Sequence, residues 1–324
     1  MKTLIVWVGA FWFAILKHIS EKNKDSTIYA YEKNDLVSSY LKNFRKHPYF
    51  FEWTKKLGKN IIFVDNIEEI LPSIDLLILS LPCQFVLPFF NDVKKYIKPW
   101  ITILNLAKWI NNKTLNTVWD DLKNILTWIS YNYTSLSWWM IASDVVKWNI
   151  IWATIWAESE ALWNVLKNYF ETPIFKVTLC IWRVKNVELA WALKNIFAIF
   201  TWYYEWQGLW SSSIWYFFCE YYTEYKKLFK LLWWDESIKF DTFAVWWDLI
   251  ATCFWNSRNR YFWKLVWEWQ KVLEVLETMK NERKIAEWYE TLKWVYQIIK
   301  DKDNFPLTKE LWKKILFTNL NLWK

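Results

Sequence analysis

Lys2-Thr3-Leu4-Ile5-Val6-Trp7-Val8-Gly9-Ala10-Phe11-Trp12 is the stretch that decides the fold. Lys2 to Val8 is a short, β-branched apolar run, and after a turn comes the helix-like Ala14 to Ser20. That is the strand–turn–helix entry of a dinucleotide-binding unit. Taken literally, the turn lacks the signature G-x-G-x-x-G, because tryptophan occupies its outer positions, 7 and 12. With glycine at both, the signature is complete. The first glycine permits the tight turn, Gly9 lets backbone approach a pyrophosphate, and the third allows close helix packing. Glu32 lies twenty residues beyond Trp12, at the end of the strand candidate Thr27 to Tyr31. It is placed to hold the adenosine ribose hydroxyls, and its charge would repel a 2′-phosphate, favouring NAD over NADP. A solvated carboxylate beside Lys33 is the plainer alternative.

The composition points the same way. The chain holds 31 tryptophans and 3 glycines, whereas glycine ordinarily makes up about 7% of a protein. Reading every tryptophan as glycine gives about 10%, an unremarkable share. The tryptophans also stand where turns need bare backbone: around Gly9, in the pairs Trp138-Trp139 and Trp246-Trp247, and at Trp255 before Asn-Ser. Packing aromatics would follow strand or helix periodicity instead. A gene whose UGA codons mean glycine, translated as though they meant tryptophan, accounts for the pattern.

At 324 residues, two domains are expected. Further strand candidates at Asn60 to Val64, Leu76 to Leu81 and Ile101 to Leu106 alternate with helical stretches, predicting an α/β, Rossmann-type doubly wound parallel sheet. After Val184 the pattern turns helical over Asn186 to Tyr204, Ile214 to Leu232, Trp263 to Arg283 and Thr308 to Leu316. Residues 1–184 therefore read as the dinucleotide-binding domain and 185–324 as an all-α domain, joined directly through a helix.

Hydrophobic residues at 54% and charged residues at 23% suit a soluble globular protein. No apolar run reaches the roughly 18 residues of a membrane span. Met1-Lys2 and the apolar run behind them imitate a secretory signal, but no small-residue cleavage site follows, so a cytoplasmic protein is expected. Four scattered cysteines and two histidines give no zinc spacing, and no metal is expected. The net charge of +8 comes from dispersed lysines without a nucleic-acid motif. Such a mild positive field also suits small anionic substrates.

The remaining segments are more specific than the fingerprint. With tryptophan read as glycine, Leu81-Pro82-Cys83-Gln84 resembles V-P-S-Q, Ala107-Lys108-Trp109 resembles A-K-G, and Leu136 through Ala142 resembles L-S-G-P-S-F-A. Asn186 through Asn195 resembles V-E-L-x-G-A-L-K-N, Asp241-Thr242-Phe243 resembles T-F, and Trp246-Trp247-Asp248-Leu249 resembles G-D-L. Asn256 through Arg260 resembles S-R-N-R, and Ala286-Glu287-Trp288 resembles V-E-G. In this order, from Lys2 to about Leu316, the chain resembles bacterial-type NAD(P)-dependent glycerol-3-phosphate dehydrogenase.

The resemblance implies reversible reduction of dihydroxyacetone phosphate to sn-glycerol 3-phosphate, a phospholipid precursor, in a cleft between domains. It makes Lys194 the catalytic acid–base. On its helix Lys194 shares a face with Ala190 and Ala198, a setting suited to a functional lysine, although in isolation a lysine snorkelling from an amphipathic face would be the plainer reading. The resemblance gives the substrate to Lys108, Trp138, Met140, Asp248, Ser257, Arg258 and Asn259. Asp248 reads equally as a helix N-cap, and Ser257 could cap a helix whose start, with Arg258 and Asn259, would cradle a phosphate. The cofactor, NAD with NADP allowed, falls to Trp7, Gly9, Ala10, Phe11, Trp12, Glu32, Pro82, Lys108, Ala142, Arg258, Ile285 and Glu287. Met140 departs from the family's serine or threonine, Trp139 from its proline, and Glu32 from the basic residue common nearby. No nucleic-acid partner or membrane insertion is implied, and a homodimer is left open. The alternatives are a related two-domain hydroxyacid dehydrogenase, in which Arg258 would bind a carboxylate, and a non-catalytic nucleotide sensor.

Overall fold

The computed structural model describes residues 1–107, 110–111, 114, 116–138, 142–180, 184–209, 212–232, 248–254, 258–267, 271–282 and 288–317. The chain divides into two compact units, Met1–Glu188 and Leu189–Lys324.

The first unit is built on one eight-stranded sheet. Its strands are β1 (Thr3–Val6), β2 (Ile28–Tyr31), β3 (Ile61–Val64), β4 (Leu76–Leu79), β5 (Ile101–Asn105), β6 (Tyr131–Trp138), β7 (Ile151–Ala157) and β8 (Phe175–Cys180). They lie in the order β3-β2-β1-β4-β5-β6-β7-β8, every neighbouring pair parallel except β6 and β7. The helices of this half are α1 (Ala10–Lys22), α2 (Asp35–Phe44), α3 (Val86–Val93), α4 (Val118–Ile125), α5 (Ala142–Val146) and α6 (Glu160–Phe170).

Strands β1 and β4 are buried at every residue, which is why they read as unbroken apolar runs: a parallel sheet covered on both faces has no wet side. Helix α1 buries Phe11 through Ser20 without interruption and joins one core with Ile5, Ile28, Ile78, Leu104, Val145 and Phe170. Asn34 caps α2 by accepting the Val37 N–H at 3.1 Å, and Ser159 caps α6 by accepting that of Leu162 at 3.2 Å.

Further along are α7 (Val184–Trp206), α8 (Ser212–Leu231), α9 (Asp248–Phe254), α10 (Arg258–Trp267), α11 (Val272–Asn281), α12 (Trp288–Ile299) and α13 (Pro306–Phe317). Within the second unit α7 is buried on all sides, the mark of a central helix. Phe200 stacks on Tyr221 at 4.0 Å, and Phe197 meets Phe218 edge-on at 5.1 Å. Glu224 of α8 caps α13, accepting the N–H groups of Leu307 and Thr308 at 2.8 and 2.9 Å.

The α/β sheet followed by a helical region agrees with the sequence. Three strands, β6 to β8, and the helix α12 had no counterpart among the expected elements, whereas α9 starts at Asp248, the residue read as a helix N-cap. The helix expected over Trp263 to Arg283 is two, α10 and α11, with Lys271 as the N-cap of the second. Among the described residues, no helix is long and apolar enough to cross a membrane.

Candidate functional site

Register fixes where the loops of the first unit emerge. Val6 pairs with Tyr31 on one side and Leu79 on the other, and Leu79 pairs with Asn105. The next residues, Glu32, Trp7, Ser80 and Leu106, therefore form one crest along the carboxyl ends of four parallel strands, where open α/β sheets bind ligands. Helix α1 starts directly above β1. Its first intrahelical bond runs from Phe13 N–H to Gly9 C=O at 2.8 Å, and no side chain caps it. Ala10, Phe11 and Trp12 make the amino-terminal turn of α1, the end of a helix that favours anions.

The backbone distinguishes the three fingerprint positions. Trp7 sits at φ +74°, in the left-handed region. Its indole stacks on Phe85 with centroids 5.5 Å apart, across the crest between β1 and β4. Gly9 has an ordinary φ of −76°, and a Cβ there would meet nothing closer than Trp12 Cδ1 at 3.9 Å. Glycine at 9 therefore serves room above the loop rather than conformation. Trp12 is 7% exposed and packs edge-on against Phe11 in the core, so of the two indoles that of Trp12 is packed inward. The crest and the helix terminus fit a dinucleotide's phosphates once the side chain at 7 is removed.

Glu32 is turned inward. Its carboxylate accepts the N–H of Val8 at 2.7 Å and that of Asn34 at 2.9 Å. Burial pushes its pKa up, and the N–H bonds from Asn34, Val8 and Lys33 push back. The carboxylate braces the fingerprint loop. His47 does the same from the other side: its Nε2 bonds the Val8 carbonyl at 3.0 Å, while Nδ1 accepts the Tyr49 N–H at 3.1 Å, which fixes the Nε2–H tautomer. His47 was missed in the sequence, and no spacing rule points to it. Pro82 precedes the short turn Cys83–Phe85 beside β4, and Ala142 is the first residue of α5.

In the second unit Lys194 is 4% exposed on α7, with Ala190 and Ala198 at 1% and 0%. Lysine is rarely so buried. Burial pushes the Cys253 thiol up to about 12, opposed by the Thr201 hydroxyl and the charge of Lys194. Trp138, Asp248, Arg258 and Asn259 are described in backbone only: Trp138 ends β6, Asp248 begins α9, and Arg258 and Asn259 begin α10. Lys108, Met140, Ser257, Ile285 and Glu287 lie outside the described residues.

Comparison with known proteins supplies the family. The model for the N-terminus of NAD-dependent glycerol-3-phosphate dehydrogenase matches residues 4–162, and that for its C-terminus matches residues 184–323. The chain belongs to this family. A glycerol-3-phosphate dehydrogenase (NAD(P)+) from Fusobacterium nucleatum subsp. nucleatum is 25% identical over 201 residues, covering 61% of this chain and 58% of that protein. The like-named protein of Geobacter metallireducens is 24% identical over 314 residues, covering 95% and 91%. The chain thus spans under two thirds of the first glycerol-3-phosphate dehydrogenase and nearly all of the second. The solved glycerol-3-phosphate dehydrogenase of Plasmodium falciparum matches with a TM-score of 0.85 at 20% identity, over 99% of this chain and 96% of that one, and shares the family's fold.

Proposed function

We propose that this chain is an NAD(P)-dependent glycerol-3-phosphate dehydrogenase interconverting dihydroxyacetone phosphate and sn-glycerol 3-phosphate. The observation that carries the reading is the match of both family halves, in order, along a chain whose α1 terminus and strand crest form a phosphate cradle. In this reading residues 1–184 bind the dinucleotide and residues 185–324 supply substrate binding and catalysis. A bound NAD(P)H supplies the hydride. Lys194 gives a proton to the substrate oxygen and steadies its developing charge. Lys108 and Asp248 hold the reacting end with Trp138 and Met140. Ser257, Arg258 and Asn259 anchor the phosphate, which turns an encounter into an oriented complex. The cofactor falls to the amides of Ala10 to Trp12, with Trp7, Gly9, Glu32, Pro82, Ala142, Ile285 and Glu287 around it. The same reading places the protein in the cytoplasm, supplying phospholipid synthesis, with no nucleic-acid partner and a homodimer allowed.

With glycine restored at the tryptophan positions, NADH oxidation is expected with dihydroxyacetone phosphate and at most marginally with 2-keto or 3-keto acids. Preference for a keto acid would assign Arg258 a carboxylate, and NADH binding without oxidation of any of these would make the chain a nucleotide sensor.

The reading includes glycine, in the native protein, at the tryptophan positions of the motifs. Among the described residues, Trp7, Trp100 and Trp148 stand at φ +74°, +65° and +60°, where a bulky side chain is an outlier and glycine is at ease. Trp100 is also 70% exposed, so packing does not explain it. Peptide mass spectrometry of the native protein is expected to find glycine at 7, 100 and 148, from UGA codons. Tryptophan at those positions, from UGG, would remove this part of the reading.

A further inference from the structure

Residues far apart in sequence meet below the end of β5. Asn105, fully buried, accepts the Ala107 N–H at 2.9 Å through Oδ1 and donates through Nδ2 to the Ala107 carbonyl at 3.3 Å and to Glu188 Oε1 at 2.8 Å. Glu188, on α7 and 3% exposed, also accepts from the Tyr133 hydroxyl and from the Trp119 N–H at 3.2 Å. Every partner of the carboxylate is a donor, so it is saturated as an acceptor. Burial pushes Glu188 up, while bonds from Tyr133, Trp119, Asn105 and Thr117 pull it down.

The orientation of the Asn105 amide follows. An asparagine amide can present either end. Because Nδ2 is committed to the Glu188 carboxylate, Oδ1 must meet the Ala107 N–H. The side chain thereby grips both backbone groups of the residue that precedes Lys108. We propose that Asn105 and Glu188 are positioning residues, holding the peptide that leads to Lys108 so that this lysine reaches substrate and cofactor in a set place. The proposal rests on the reading of Lys108 as a ligand-contacting residue.

A double-mutant cycle separates the two possibilities, in protein carrying the native residues at the tryptophan positions. Asn105→Ala is expected to lower kcat/KM for dihydroxyacetone phosphate about 10- to 100-fold, the cost of a misplaced contact. In a Lys108→Ala background the same change should alter kcat/KM and the NADH Kd by no more than about twofold, because it acts through a side chain already gone. The Kd, measured by calorimetry, reads the cycle even where turnover is too slow. Should Asn105→Ala fail to fold, Glu188→Gln takes its place, since its amide would face donors while filling the same volume. Equal losses in both backgrounds would overturn the proposal and make the cluster a packing feature. Parental kcat/KM and Kd in Lys108→Ala alone would instead overturn the reading of Lys108, and the positioning role with it.

Discussion

Trp7→Gly is expected to tighten NADH binding at least tenfold and to raise the melting temperature. Two effects act together. Holding a non-glycine residue in the left-handed region costs roughly 1–3 kcal/mol, and Trp7 is held at φ +74°; glycine adopts that conformation freely. The lost stack on Phe85 is worth about 0.5–1.5 kcal/mol, so relief of strain outweighs it. Binding gains more, because the indole lies across the crest where the amides of Ala10 to Trp12 offer the cradle. A tenfold change needs only about 1.4 kcal/mol. By the same reasoning, recombinant protein carrying every tryptophan is expected to misfold or be inactive. Trp12→Gly is a poorer probe, since Trp12 is packed in the core and deleting such a side chain costs about 3–5 kcal/mol through the cavity left behind. Calorimetric titration of glycine-restored protein beside the same protein keeping tryptophan at position 7 alone decides the matter. Equal Kd values would show that residue 7 does not meet the cofactor.

How much of this was legible depends on the range of the signal. The β1–turn–α1 entry, the strands β2 to β5 and the helices α7, α8 and α13 rest on local periodicity, and the structure contains each of them within a few residues. β1 ends at Val6 rather than Val8 because Trp7 takes a left-handed φ. β6 to β8 were obscure because the sheet departs there from strand–helix–strand alternation. β6 and β7 are antiparallel, with only the short α5 between them, so no long crossover helix announces them. β6, Tyr-Asn-Tyr-Thr-Ser-Leu-Ser-Trp, is also largely polar. α10 and α11 read as one helix because their apolar faces continue in phase. With tryptophan read as glycine at 267 and 269, glycine's poor helix propensity marks a boundary ahead of α11 in the sequence. At the site, the fingerprint was legible because it is contiguous. The inward turn of Glu32, the grip of His47 on Val8 and the bond between Asn105 and Glu188 join residues 24, 39 and 83 positions apart. Such pairs carry no local period and emerge only once the sheet is assembled.

In protein with glycine restored at the tryptophan positions, Lys194→Ala is expected to cut kcat by about 10²- to 10⁴-fold, the range for loss of a positioned acid–base group, while the NADH Kd stays within about twofold, the scatter of uncoupled sites. The separation of the two effects is the point. The phosphate cradle is made by backbone of β1 and α1 in the first unit, whereas Lys194 belongs to the second. Lys194 is 4% exposed, with Ala190 and Ala198 on its face of α7, so the melting temperature of the alanine variant is measured beside its kinetics, and a folded variant that binds NADH without turning over marks a catalytic loss rather than a folding one. Lys194→Arg should not restore turnover, because a guanidinium stays protonated and cannot pass its proton to the substrate oxygen. Steady-state kinetics with dihydroxyacetone phosphate, paired with calorimetry, tests all of this in one set of proteins. Turnover of the alanine variant within tenfold of its parent would take the proton transfer away from Lys194 and require another donor on the substrate oxygen.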